Sequence, residues 1–281
     1  MRPFVFLFCF FSFTCFAQDP DAFKKSGEGL DKVSSTLPKD IKLKIVKSLN
    51  HFIIKEIYSQ DHMDLEKDLN NFTFVDYDSD HDLDIIYYGP IGGEPLGTIF
   101  FMNSDNSYGS EFLSVGQVKE IKIDNTSQQL YFKMIESPCC ADIVEGTVLY
   151  QVDFSKPERV FTTLNRYHYI AGTGKPTDFI APLKFKILNP QYKLRHSPEI
   201  DDTPLDPNSE FNLPGNVIAE YSAGASGTAI ASKTDATGKV WWFVIMDYNS
   251  TPIRTIIHDM DSKSKFYTCG WLSNRYAEKL E

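Results

Sequence analysis

Between residues 76 and 84 the chain reads Asp76-Tyr77-Asp78-Ser79-Asp80-His81-Asp82-Leu83-Asp84, five carboxylates in nine residues. Ionised side chains this close repel one another unless a cation sits among them. Hard cations such as Ca²⁺ take six to eight oxygen ligands and tolerate irregular geometry. Asp76, Asp78 and Asp80 occupy loop positions one, three and five, the backbone carbonyl of Asp82 falls at seven, and Asp84 falls at nine. The residues that follow, Leu83 to Gly89, form a short apolar and aromatic run ending in Gly, which reads as a strand. The chain must therefore fold around a tight acidic turn that opens into a β-strand.

An EF-hand loop begins with the same spacing, but it requires Gly at position six and a bidentate Glu at twelve, and it continues as a helix. Here those positions are His81 and Tyr87. The segment instead resembles an integrin-type FG-GAP repeat, also called a VCBS repeat, in which D-x-[DN]-x-D-G-x-x-D-L lies between two strands of a propeller blade. Phe72-Thr73-Phe74-Val75 is similar to the strand leading in, and Ile99 to Phe112 resembles the following half, a strand, an Asn, a turn and an aromatic. His81 replaces the family's Gly, and His adopts positive φ more readily than most residues. The resemblance implies a structural calcium held by Asp76, Asp78, Asp80, Asp82 and Asp84. One good loop and a degenerate second unit around Val118 to Phe154 are too little chain for a closed propeller, so a sandwich or propeller fragment is expected.

The first residues, Met1-Arg2-Pro3, then the apolar run Phe4 to Phe16 and Ala17, have the layout of a secretory signal peptide over 1–17. The run is too short to span a bilayer, and no later segment is continuous enough to do so. Cys15 raises the question of a lipoprotein anchor, but Ser12-Phe13-Thr14 lacks the usual pattern before it. A secreted or periplasmic location follows. With 28 Lys and Arg against 38 Asp and Glu, no basic stripe supplies affinity for nucleic acid. Val, Ile, Tyr and Phe recur in short runs broken by Gly, Pro, Asn and Asp, so a mainly β protein is expected. Three cysteines follow the leader, and the adjacent Cys139 and Cys140 allow either a strained vicinal disulfide or unlinked thiols.

Residues 18–70 form a helical segment, since Ile45, Leu49, Phe52, Ile53 and Ile57 fall on one stripe and Pro38 suits the helix start. Residues 71–164 read as consecutive strands, at 72–75, 84–88, 98–102, 117–123, 129–135 and 146–154. Gly172, Gly174, Pro176 and Pro182 mark 165–181 as a linker. Gly172-Thr173-Gly174-Lys175 is not a phosphate loop, because Tyr169 stands at the required first Gly and Pro176 replaces the Ser or Thr.

In the last part, Tyr192-Lys193-Leu194-Arg195-His196-Ser197-Pro198, then Gly238 to Met246, then Cys269-Gly270-Trp271-Leu272-Ser273-Asn274-Arg275-Tyr276 resemble, in order, the motifs of the bacterial SH3-like domain. This resemblance implies a small β-barrel over 182–281. Alternation puts Trp241, Phe243 and Ile245 on one face and Trp242, Val244 and Met246 on the other. A small barrel does not bury both faces equally, so one set is expected to be partly exposed. Tyr221, Trp241, Trp271 and Tyr276 then offer an aromatic groove for a peptide or glycan, unless they are core. The function expected is that of an exported, non-enzymatic binding or scaffold protein that docks on a protein peptide or a cell-envelope glycan. The alternative is a hydrolase of surface polymers, for which Cys139 or Cys140 with His168 or His196 would be the thiol and base.

Overall fold

The computed structural model describes residues 20–24, 27–49, 65–91, 96–105, 107–136, 143–156, 159–204, 213–257 and 266–280. The leader 1–17, the Cys139–Cys140 pair and the apolar residues Phe52, Ile53 and Ile57 lie outside them. The chain is mainly β. Among the described residues, the α-helices α1 (Leu30–Val33), α2 (Lys39–Ser48) and α3 (Leu65–Asp68) precede the strands. Pro38 caps α2, where its missing N–H costs nothing.

The first sheet is an antiparallel meander of β1 (Phe72–Val75), β2 (Asp84–Pro90), β3 (Leu96–Ser104) and β4 (Ser107–Val115). Strand alternation divides its apolar residues between two cores. Phe72, Phe74, Ile85, Tyr87, Ile99 and Phe101 pack on one side with Val46 and Leu49 of the α2 region and with Leu69. Val75, Ile86, Phe100 and Met102 point the other way, into the second sheet. Gly116 carries the chain between the sheets at φ +119, where an added Cβ would stand 2.3 Å from the Ile135 carbonyl oxygen. Only Gly fits that corner.

The second sheet starts as a meander of β5 (Gln117–Asp124), β6 (Gln129–Glu136), β7 (Val144–Asp153) and β8 (Phe161–Ile170). Val118, Ile121, Leu130, Phe132, Met134, Val148, Tyr150 and Val152 face the first sheet. The result is two four-stranded meanders packed face to face, the sandwich expected from the sequence. The remaining strands are β9 (Phe179–Ile187), β10 (Tyr192–Arg195), β11 (Val217–Tyr221), β12 (Ser226–Thr234), β13 (Val240–Met246), β14 (Arg254–Thr255), β15 (Tyr267–Ser273) and β16 (Ala277–Lys279).

Two expectations are corrected here. The C-terminal strands do not close into a barrel: β16, β9, β12, β13 and β15 run in order and then join β8, continuing the second sheet. The outer edge of β15 is divided, with Tyr267 and Thr268 pairing in parallel with β8 and Trp271 pairing with Arg195 of β10. That edge is taken by β8, which removes the ladder a closed barrel would need. The stretch read as a linker over 165–181 holds the second half of β8 and the start of β9. Its glycines and prolines mark only the connection between those two strands.

The N-terminal segment straps the second sheet. Glu28 exchanges backbone hydrogen bonds with Ile121 of β5, and the Gly27 N–H donates to Glu120 Oε2 at 2.9 Å. Glu120 also pairs with the buried Lys133 at 2.7 Å, and the Lys133 ammonium donates to the Lys24 carbonyl. Phe23 then packs edge-on against Tyr167, Tyr169 and Phe243.

Candidate metal centre and ligand groove

The acidic turn joins β1 to β2 at the end of the inter-sheet core. Asp76 organises it: its Oδ1 accepts from the Ser79 N–H at 2.7 Å and its Oδ2 from the His81 N–H at 3.1 Å. Winding the chain this tightly puts Ser79 at φ +67 and His81 at φ +78. His81 therefore holds the left-handed conformation that favours Gly. Asp84 is fully buried and accepts from the Tyr77 N–H at 3.0 Å and the Asn103 N–H at 2.9 Å, which ties β1, β2 and β3 to one carboxylate. The Tyr108 hydroxyl donates to the Leu83 carbonyl, and the Ser79 hydroxyl donates to Asn125 Oδ1 on the β5–β6 turn, linking the two sheets at this end.

One carboxylate oxygen each from Asp76, Asp78 and Asp84 lies within 4.8 Å of the others. Oxygens about 2.3–2.6 Å from a shared Ca²⁺ can stand no further apart than roughly 5 Å, so the spacing fits that ion. Asp80 and Asp82 lie outside this trio. Asp80 Oδ1 accepts from the Asp82 N–H, and Asp78 Oδ1 accepts from the Asp80 N–H. Asp82 Oδ1 is buried with no hydrogen-bond partner among the described residues.

The electrostatics carry the strain of an uncompensated cluster. Burial, with the Asp78 and Asp82 charges adding to it against the hydrogen bonds from Asn103 and Tyr77, raises the Asp84 carboxyl to about 8. Burial and the Asp80 charge raise Asp78 to about 6, and burial followed by Asp80 raises Asp82. The Tyr77 hydroxyl, buried and without a hydrogen-bond partner, is pushed up by burial and then by Asp84 and Asp78. The Arg159 charge offsets part of this at Asp78, and His81 stands 3.9 Å from Asp76 on a side chain 95% exposed. A divalent cation is the group whose charge and ligand preference this set of oxygens matches.

The aromatic residues are placed differently from the sequence expectation. Trp241, Trp271 and Tyr221 are 2%, 4% and 1% exposed, and only Tyr276, at 41%, reaches solvent. Both faces of β13 are covered: Trp242, Val244 and Met246 pack beneath β10 and β11, while Trp241, Phe243 and Ile245 pack against Ala22 and β8. The expected exposed face is absent because those covering layers come from segments distant in sequence. The indole N–H groups are satisfied internally, Trp241 by Asp235 and Trp271 by the Gly174 carbonyl, each at 2.9 Å.

What the fold does present is a groove of about 500 Å³ between β10, β11 and the 3₁₀ turn Asn274–Tyr276. Tyr192 and Tyr276 meet edge to face in its wall at 6.0 Å. Glu220 lies in it, 3% exposed, accepting from Gln191 Nε2 at 2.8 Å. Sequence reading identified Tyr276 but missed Gln191, Glu220, Lys239 and Arg275. They come from four separated segments and form no motif, so only the register of the strands assembles them.

The thiols of the hydrolase alternative, Cys139 and Cys140, lie outside the described residues. His168 is buried on β8, stacked on Phe266 with ring centroids 4.6 Å apart, and His196 follows β10 with its N–H bonded to the Asn216 carbonyl. Cys269 is a free thiol, fully buried, and burial pushes its pKa well up, the opposite of an activated nucleophile.

No family model matches the chain, and no curated protein or solved structure matches it significantly. Its class rests on the fold: a mainly β protein in which two face-to-face meanders continue into a further β layer. Among the described residues no helix is long and apolar enough to cross a membrane.

Proposed function

We propose that the chain is an exported, non-enzymatic binding protein in which a structural calcium ion clasps the two packed meanders and the C-terminal strands carry the docking surface. The convergence of Asp76, Asp78 and Asp84 between β1 and β2 supports the clasp most directly. The ion stands in for a missing positive charge, and Asp84 transmits its position to β3 through the Asn103 N–H. The solvent-facing groove at Tyr276 supports the docking half of the reading. Extracellular modules of this kind bind Ca²⁺ at about 10⁻⁴–10⁻³ M.

The two halves are tested separately. Calorimetric titration of chelator-treated protein with CaCl₂ is expected to show one site, weakened at least tenfold in Asp78→Asn; a flat titration of the wild type removes the calcium site. Sedimentation of the full chain with an insoluble cell-envelope fraction is expected to carry it into the pellet, and Tyr276→Ala to leave it in the supernatant. Equal retention of both proteins removes the docking surface.

A further inference from the structure

The groove at Tyr276 is lined by several basic side chains. The chain carries a formal net charge of −10, yet this groove is lined by Lys193, Arg195, Lys239 and Arg275 with Glu220 as the opposing carboxylate. Two of those cations are engaged: Lys193 and the buried Arg195 each reach Asp202 Oδ1 at 2.8 Å, and Arg195 also holds the Asp201 carbonyl and Asn216. Lys239 and Arg275 have no ion pair among the described residues. Each lies over an aromatic ring instead, Lys239 over Trp241 at 5.4 Å and Arg275 over Tyr276 at 5.3 Å. Such stacking holds a cation in place without neutralising it.

The other groups in the groove suit hydroxyls. Asn189 and Gln191 contribute amides, Glu220 a carboxylate, and Tyr276 an exposed ring. Glu220 already holds Gln191 Nε2 at 2.8 Å and Arg254 at 3.9 Å, which fixes the Gln191 amide in the wall. The strands argue against a peptide. β10 is paired by β11 and, at Arg195, by β15, and β11 is paired by both β10 and β14. The wall therefore offers little open ladder for an extended chain to join.

We propose that this groove binds an acidic saccharide, with Lys239 and Arg275 taking the sugar carboxylate, Asn189 and Gln191 taking its hydroxyls, and the Tyr276 ring packing against its apolar face. This rests on the docking half of the proposed function and names its ligand class. Charge attraction of this kind makes binding sensitive to ionic strength.

The test is calorimetric titration of the full chain, in one calcium buffer, with trigalacturonate, with the neutral maltotriose and with triglutamate. Trigalacturonate is expected to bind, more weakly as salt rises, and maltotriose at least tenfold more weakly. Arg275→Ala and Tyr276→Ala are expected to weaken trigalacturonate about tenfold or more, as loss of a charge-assisted hydrogen bond or an aromatic contact does. Both side chains are exposed, and melting curves check that the variants stay folded; Lys239→Ala provides the same readout at a third position. Equal binding of maltotriose overturns the role of the acid. Triglutamate binding with the same Arg275 dependence assigns the groove to acidic peptides instead. Absence of trigalacturonate binding overturns the proposal outright, whereas the docking surface itself fails if the envelope fraction does not retain the chain or retains Tyr276→Ala equally.

Discussion

At the scale of single residues, the acidic turn has a pH signature of definite sign. Asp84 and Asp78 have folded-state values raised to about 8 and about 6 from an ordinary 3.8, so without a cation the folded protein holds more protons than the unfolded chain in between. Stability from these groups is present at low pH and is lost as pH rises toward 8. The proposed calcium ion would reverse the trend by holding the ionised carboxylates. In chelator, the melting temperature is therefore expected to fall between pH 5 and pH 8, and the increment given by calcium to grow over the same interval. A calcium increment independent of pH would contradict this assignment of the trio. The loop's acidic spacing was legible from the residue pattern alone, including positive φ at His81. That Asp84 would be buried and bridge three strands was not legible, because Asn103 lies on a different strand and backbone N–H groups leave no mark in a sequence.

At the scale of elements, what the sequence revealed depended on how evenly each strand alternates. β1, β2, β3, β5, β6 and β7 coincide with expected strands because each places apolar residues at period two or in a continuous buried run. β4 is mostly exposed and polar, so its Ser, Gly and Glu residues read as a turn. β8 begins with the half-buried Phe161 and the exposed Thr162-Thr163 and fully buries only its Tyr167 to Ile170 half, and it lay hidden beside the Gly and Pro residues that follow it. Position 116 was equally silent, since one Gly among sixteen does not announce a corner between sheets. Gly116→Ala forces a Cβ toward the Ile135 carbonyl at positive φ, and is expected to destabilise the protein by about 1–3 kcal/mol. Chemical denaturation reads this; a variant as stable as wild type would mean that the corner relaxes freely.

At the scale of the whole molecule, the C-terminal strands continue the second sheet. β15 joins β8 in parallel, and Phe23 from the N-terminal strap packs among residues of β8 and β13. The aromatic residues that suggested a C-terminal groove became the packing between these parts, and the groove that remains is built from polar side chains around Tyr276. The acidic turn sits at the other meander, where Ser79 and Asn125 link the two sheets. An ion there acts on the packing of both sheets, and its removal should be felt as global stability. Free Ca²⁺ a hundredfold above its dissociation constant contributes about 2.7 kcal/mol. For a chain of this size that corresponds to a rise of roughly 5–10 °C in melting temperature. The decisive measurement is thermal unfolding of wild type and Asp78→Asn in EDTA and in saturating CaCl₂. The calcium clasp predicts a rise of that size for the wild type and a rise smaller by half or more for Asp78→Asn; equal melting temperatures for the wild type in the two buffers would contradict it.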